Sequence, residues 1–275
     1  MTKQDERVKA FRELHESGCF VIPNPWDLGS AQVLVQLGFP ALATTSSGFA
    51  WSLARPDNGT TLDQILSHAR TIVEGVSVPV SVDFQDCYAV SPDSVSRNVQ
   101  ALLQTGVAGF SVEDSTRDRA DPLFDFELAV ERVSAAVAVA EGSGSRPVVT
   151  ARTEGFIVGR PDLEETVRRL VAFSEAGADC LYAPGIRSAE EVSIVVEAVA
   201  PKPVNVLVGS DFTTVAEMAS LGVRRISVGG ALARVAWGAC LEAAEELAKQ
   251  GTFSGFSGAV GFAALDGRFQ AGEEA

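Results

Sequence analysis

Eight times along the chain, a short apolar run rich in β-branched residues gives way to a longer stretch with helical spacing, and this alternation constrains the fold most. The runs are CFVIPNP (19–25), ALATTSS (41–47), VPVSVDF (78–84), GFSVED (109–114), PVVTART (147–153), CLYAPG (180–185), VNVLVG (204–209) and RISVGG (225–230). Helical patterns follow near 29–38, 61–74, 93–106, 125–142, 162–176, 188–199, 213–221 and 231–250. Glycines in LGF (37–39), TGVAG (105–109), EAGAD (175–179) and SLGV (220–223) end helices and lead into the next strand. Strands this apolar belong in a parallel sheet covered on both faces. Eight β/α units predict a closed (β/α)8 barrel of the TIM type, with residues 1–275 as one domain. An open doubly wound sheet would also alternate, but no GxGxxG motif and no P-loop is present.

After the last barrel helix comes TFSGFSGAVGFAALDGRF (252–269), a Gly/Ser-rich link and a short apolar helix. Its phenylalanines need a surface to cover, either this barrel or a neighbouring subunit. Residues 271–275 are expected to be disordered.

The net charge of −14 argues against nucleic acid and anionic membrane as partners, and favours a cation. The N-terminus, MTKQDERVKAFRELHE, is charged and helical in pattern without the apolar core of a signal peptide. Cys19, Cys87, Cys180 and Cys240 are far apart with no CxxC pair, as expected of reduced thiols in a cytoplasmic protein. His15 and His68, the two histidines, lie in helical patterns and are expected to serve packing or surface roles.

In a (β/α)8 barrel, chemistry gathers where strands run out into the loops that follow. Those ends carry Trp26, Asp27, Ser46, Ser47, Asp83, Gln85, Glu113, Asp114, Arg152, Glu154, Pro184, Asn205, Gly229 and Gly230, with Asp57 in the loop after the second strand. Lysine occurs only at positions 3, 9, 202 and 249, none of them a strand's C-terminal end, so Schiff-base and pyridoxal chemistry is excluded. Histidine is absent from the strand ends as well, which removes the common zinc barrels. What remains is Asp57, Asp83 and Glu113 with Arg152 beside them. Oxygen donors of this kind suit Mg²⁺, with Mn²⁺ as the alternative. The arginine suits a carboxylate or phosphate of a ligand. The competing explanation is a belt of internal ion pairs. The glycine pair in SVGGALAR (227–234) is better explained by close helix–strand packing than by phosphate binding.

With these residues in view, the chain resembles the isocitrate lyase/phosphoenolpyruvate mutase superfamily over roughly residues 10 to 240. The resemblance is carried by NPWDLGSAQVLVQLGFPALATTSSGFAWSLARPD (24–57), VPVSVDFQDCY (78–88), GVAGFSVEDS (106–115), ARTEGF (151–156) and AFSEAGADCLYAPG (172–185). It implies a (β/α)8 barrel, a homotetramer built as a dimer of dimers, and a C-terminal segment (231–270) exchanged between subunits. It also implies Mg²⁺ bound directly by Asp83, with Asp57 and Glu113 acting through the metal's waters and Gln85 beside them. Arg152 matches the group that grips the substrate's acid. Ser46, Ser47 and Gly48 match the turn that contacts its carboxylate and oxyanion, and Asn205 joins the substrate-binding set. Arg152, Ser46 and Glu113 are the expected catalytic residues.

Two departures from the family pattern matter. Where the family commonly has DxDxGYG, this chain reads Asp83-Phe84-Gln85-Asp86-Cys87-Tyr88-Ala89, losing one acid at Gln85. Asp86 could compensate but falls on the other side of an ideal strand. The loop DSTRDRADPLFD (114–125) has no Cys, Lys or His where lyases of the family carry a Lys-Lys-Cys-Gly-His-type motif. The resemblance implies a Mg²⁺-dependent carbon–carbon lyase, retro-aldol or decarboxylating, that stabilises an enolate of a small 2-hydroxy or 2-oxo di- or tricarboxylic acid. The alternatives are C–P chemistry of the phosphoenolpyruvate mutase or phosphonopyruvate hydrolase kind, and a 2-oxo-acid-binding barrel of weak activity. Removing Arg152 is expected to weaken acid binding while leaving the fold intact.

Overall fold

The computed structural model describes residues 2–270, so the tail at 271–275 lies outside the described residues. All eight runs form strands: β1 (Phe20–Ile22), β2 (Leu42–Ala43), β3 (Val80–Val82), β4 (Gly109–Glu113), β5 (Val148–Arg152), β6 (Cys180–Tyr182), β7 (Val204–Leu207) and β8 (Arg225–Ser227). They form one parallel sheet in the order β1-β8-β7-β6-β5-β4-β3-β2. The seam between β1 and β2 is drawn shut by Ala43 N–H donating to Pro23 O at 3.1 Å and by Asn24 Nδ2 donating to Thr44 O at 3.0 Å. The result is a (β/α)8 barrel.

The helices are α1 (Lys3–Leu14), α2 (Leu28–Gln36), α3 (Ser46–Ser52), α4 (Leu62–Gly75), α5 (Pro92–Leu103), α6 (Phe126–Gly142), α7 (Leu163–Glu175), α8 (Ala189–Val199), α9 (Val215–Ser220), α10 (Ala231–Gln250) and α11 (Phe262–Gln270). Side-chain caps from Thr61, Ser91, Asp162, Ser188 and Thr214 start α4, α5, α7, α8 and α9. α1 closes the N-terminal end of the barrel, burying Val8 and Phe11 against Ile22, Ala41, Ala108 and Val148. None of the described helices is long and apolar enough to cross a membrane.

The strands depart from the sequence reading in one respect that matters for the site. In β3, β4 and β5, Val80, Phe110, Val112, Val149 and Ala151 pack in the core shared with the helices, whereas Ser81, Ser111 and Thr150 line an interior cavity. Continuing that two-residue period delivers Asp83, Glu113 and Arg152 to the cavity's C-terminal mouth. The main apolar core therefore lies between sheet and helices, in residues such as Leu34, Ile65, Ile72, Val99, Leu102 and Phe173.

The second run also ends early. β2 stops at Ala43, and Thr45 caps α3 by accepting from Gly48 N–H at 3.4 Å. Thr-Thr-Ser-Ser supplies hydroxyls that compete for backbone donors, so the chain leaves the strand there. A β-carbon at Gly48 would come within 2.7 Å of the Thr45 methyl and 2.9 Å of Trp26 Cβ, so glycine is required by close approach.

α10 matches its expected limits and ends on Gly251 in the left-handed conformation, yet Ala233 is its one buried residue. Val235, Trp237, Leu241 and Leu247 are exposed along it, followed by Phe253, Phe256, Val260 and Phe262. The link after α10 folds back on it, with Glu246 accepting from Ser254 N–H at 2.9 Å and Gly255 N–H at 2.7 Å. α11 reaches α2, where Gln36 Nε2 donates to Arg268 O at 2.6 Å.

Candidate active site

The period-two pattern brings Asp83, Glu113 and Arg152 together. Arg152 Nη1 lies 2.8 Å from Glu113 Oε1 and 3.4 Å from Asp83 Oδ1, and Nε pairs with Glu154. Its guanidinium sits 5.0 Å from the Tyr182 ring centroid. The residues expected to form a ligand cluster thus form ion pairs with one another. Asp83 Oδ2 accepts from Ser46 N–H at 2.9 Å, and Asp83 N–H donates to Thr44 Oγ1 at 3.0 Å. Glu113 Oε2 accepts from Ser115 Oγ at 3.1 Å.

The other expected residues gather at the same mouth. Asp57 Oδ1 accepts from Ser46 Oγ at 3.3 Å, Asn58 N–H at 2.9 Å and Gln85 Nε2 at 3.3 Å. Gln85 also donates to Asn58 Oδ1 at 2.6 Å, while its Oε1 is buried without a hydrogen-bond partner. Ser47 Oγ pairs with Thr45 Oγ1 at 3.1 Å and would meet a β-carbon at Gly230, so it lies at the α3–α10 junction. Asn205 lines the cavity but both ends of its amide are engaged, by Arg225 Nε at 2.8 Å and Ser227 Oγ at 2.9 Å. Asp86 does not replace the acid missing at Gln85. It turns away to pair with Arg117, with contacts of 2.8 and 3.0 Å.

Four carboxylates, those of Asp57, Asp83, Glu113 and Glu154, surround one guanidinium. Burial pushes the Glu113 carboxyl well above its ordinary range, and Glu154 and Asp83 add to this against the pull of Arg152. Burial, reinforced by Asp83, also raises Asp57. Glu154 is raised by burial from 4.5 to about 7. Arg152 goes the other way: burial would lower it, but Glu113 and Glu154 hold it well above its usual value.

A pH dependence follows for the metal-free protein. Between pH 4.5 and about 7, folded Glu154 keeps a proton that the unfolded chain releases. Its stabilising contribution is full below the unfolded value and is lost as pH rises through the folded one. Across that window the thermal midpoint should therefore fall more steeply in the parent than in Glu154→Gln. Parallel midpoint–pH curves would refute the assignment.

The donors are all oxygen and the surplus charge is negative, which fits a hard cation. Among the described residues no three His, Cys, Asp or Glu side chains converge to cage a metal. The fit is to a cation that keeps part of its water, as Mg²⁺ does. Asp83 would bind it directly; Asp57, Glu113 and the free Gln85 Oε1 would accept from its waters.

Below this mouth the cavity measures about 50 Å³ and is lined by Thr44, Ser81, Ser111, Thr150 and Ser227 down to Arg225. That is room for roughly four water molecules. Arg225 is buried and donates to Asn205, to Thr150 Oγ1 at 3.0 Å and to His15 Nε2 at 3.2 Å. Burial beside Arg225 lowers His15 to about 3, so the imidazole is neutral and accepts. His68 stacks on Phe49 of α3 with centroids 3.8 Å apart, a packing role. Arg225, Thr44, Asn24 and Tyr182 escape a reading confined to strand ends; the serine, threonine and arginine at alternate strand positions are the signal that reveals the polar interior.

The loop after β4 is compact. Ser115 bridges Leu123, and Phe124 N–H donates to Asp114 O at 2.8 Å. Asp114 itself is buried and accepts from Thr153 Oγ1 at 2.7 Å, Glu154 N–H at 2.8 Å and Arg169 Nη1 at 3.1 Å, so it ties β4 to β5.

Fold and site together define a (β/α)8 barrel protein whose C-terminal mouth gathers carboxylates around one buried arginine. Residues 11–248 match the family described as phosphoenolpyruvate phosphomutase. The chain belongs to this family, within the phosphoenolpyruvate mutase/isocitrate lyase superfamily of enzymes. A Mycobacterium tuberculosis protein of uncharacterised function is 31% identical over 222 residues, 80% of this chain and 81% of that one. The oxaloacetate decarboxylase of Paraburkholderia xenovorans is 29% identical over 206 residues, 72% of this chain and 67% of the enzyme. The 2-methylisocitrate lyase of Halalkalibacterium halodurans is 28% identical over 204 residues, 71% and 66% of the two chains. Among solved structures, a Burkholderia cenocepacia J2315 protein assigned as a lyase or mutase superposes with a TM-score of 0.94 at 42% identity, covering 97% of this chain and 96% of its own. A phosphonopyruvate hydrolase complexed with oxalate and Mg²⁺ superposes with a TM-score of 0.81 at 27% identity, covering 99% and 98%.

Proposed function

We propose that this protein is a Mg²⁺-dependent carbon–carbon lyase acting on a small 2-oxo or 2-hydroxy di- or tricarboxylic acid. The observation that carries the reading is the cluster of Asp83, Glu113 and Arg152 at adjoining strand ends over a small polar cavity. When bound, Mg²⁺ would supply charge stabilisation at the 2-oxo oxygen. The chain's own groups do the rest. Arg152, whose Nη2 forms no hydrogen bond within the described residues, holds a carboxylate of the acid. Asp83 is kept in place by Ser46 N–H, Ser111 and Arg152. Ser46 aligns Asp57 and Asp83 through its two donors. Burial raises both Glu113 and Glu154, and Glu154, at about 7, is placed to exchange a proton near neutral pH.

The loop at 114–125 has no Cys, Lys or His to protonate a departing fragment, and Arg117, its inward cation, is committed to Asp86. This favours decarboxylation within the lyase reading, because loss of CO₂ asks chiefly for an electron sink. Turnover of oxaloacetate, 2-methylisocitrate and phosphonopyruvate, each with and without Mg²⁺, tests the proposal. Metal-dependent consumption of one of the first two is expected; consumption of phosphonopyruvate alone would overturn it. The names of the oxaloacetate decarboxylase and methylisocitrate lyase relatives support the substrate class.

A homo-oligomer belongs to the same reading, with a second copy covering residues 231–270 and a tetramer as the expected assembly. A 20-residue helix with one buried residue has little to hold it in water on its own. Sedimentation at micromolar concentration should give a multiple of 28.9 kDa. A monomer mass would refute it.

A further inference from the structure

The turn that leads away from Asp83 is held in a shape its residues resist. Gln85, Cys87 and Tyr88 have φ of 50°, 56° and 53°. These left-handed values are unfavourable for residues with a β-carbon, and such backbone persists only where its surroundings over-determine it. Two side chains from neighbouring helices do so. Asn98 of α5 donates from Nδ2 to Cys87 O at 2.9 Å and Tyr88 O at 3.2 Å. Arg132 of α6 donates to Asp86 O at 2.7 Å, Val90 O at 2.9 Å, Ala89 O, and across to Glu113 O at 3.5 Å.

Arg132 is wholly buried, and its guanidinium lies 4.0 Å over the Phe124 ring centroid. It forms no ion pair among the described residues, and its Nε has no hydrogen-bond partner. A cation placed so costs desolvation, which only its carbonyl acceptors and the ring offset. Those carbonyls belong to two chain segments, the turn after β3 and the end of β4. The same segments are joined by Glu113 N–H donating to Gln85 O at 3.0 Å. One segment carries Asp83 and the other carries Glu113.

We propose that Arg132 is a positioning residue: it forks between the strained turn after β3 and the end of β4, and so fixes the separation of Asp83 and Glu113 at which the site takes its cation. The inference rests on the Mg²⁺ reading above. No lysine can replace the fork, because one ammonium cannot reach carbonyls on both segments in the directions a planar guanidinium does.

The test compares Arg132→Lys and Asn98→Ala with Arg7→Gln. Arg7 also donates to two carbonyls, Val73 O at 2.8 Å and Val76 O, but away from the site. Hydrogen exchange reads the turn directly, and calorimetry with Mg²⁺ alone reads the site. Arg132→Lys should speed exchange at residues 84–89 selectively and weaken Mg²⁺ binding by roughly 10–100-fold, the scale for partners one step removed from a metal ligand. Asn98→Ala should move both readouts in the same direction by less. Arg7→Gln should lower the thermal midpoint and change neither. If Arg132→Lys does not fold, Asn98→Ala decides alone: slower Mg²⁺ uptake is not the criterion, weaker affinity is. Unchanged Mg²⁺ affinity in the folded variants, or exchange that rises evenly along the chain, would overturn the proposal. A parent that takes up no Mg²⁺ would overturn the cation reading, and selective exchange at 84–89 would then still show the fork while unselective exchange would refute it.

Discussion

Asp83→Ala should bind no Mg²⁺ that calorimetry can detect. Asp83 is the one carboxylate at the mouth that approaches Ser46, Ser111 and Arg152 together, so it sits where a cation would meet the substrate. Loss of a direct ligand should exceed the roughly 10–100-fold seen when an outer partner is removed. Alanine also strips the acceptor from Ser46 N–H and loosens the start of α3. Asp83→Asn separates the two effects, because an amide oxygen still accepts from Ser46 while the charge is gone. It too should lose most of the affinity. Parent-like Mg²⁺ binding in either variant would sink the assignment.

Arg152→Ala should cost both ligand binding and stability. Losing the guanidinium deprives a substrate carboxylate of its partner, about 2–5 kcal/mol for a truncated buried pair, so 2-oxo acid affinity should fall at least about tenfold. The fold should stay intact but become less stable. Arg152 is the shared counter-charge of Asp83, Glu113 and Glu154, and removing one member of a buried ion cluster costs about 3–5 kcal/mol. The loss should be largest near pH 8 and shrink in acid, where Glu113 and Glu154 take up protons. Arg152→Lys keeps the charge without the planar fork and should recover stability better than affinity. A variant as stable as the parent at pH 8, with parent-like binding of oxaloacetate, would show that Arg152 does neither task.

Much of this was legible in the residues because the signals are local. Strand runs and helix caps are written within a few neighbours, so all eight strands were found, and α10 matched its expected limits. Asp83, Glu113 and Arg152 were legible because each ends a strand, and strand ends in a barrel share a mouth. The boundary of β2 was misplaced because four hydroxyl residues fit a strand and a cap alike, and only the Thr45–Gly48 contact chooses between them.

The amino-acid sequence by itself therefore determined the barrel, the acids and arginine at its mouth, and the missing loop acid. The tertiary structure decided what those residues face. Arg152 meets acids 39 to 69 positions away and Glu154 two positions on, so whether it forms a belt, a site or both is a matter of distance across strands. Arg132 and Arg225 are buried beside carbonyls and neutral side chains brought to them from other elements. α10 has the pattern of a packed barrel helix, yet it leaves the barrel wall. Hydrophobic period is set by neighbours along the chain, whereas charge pairing and the partner a helix face meets are set by contacts across it.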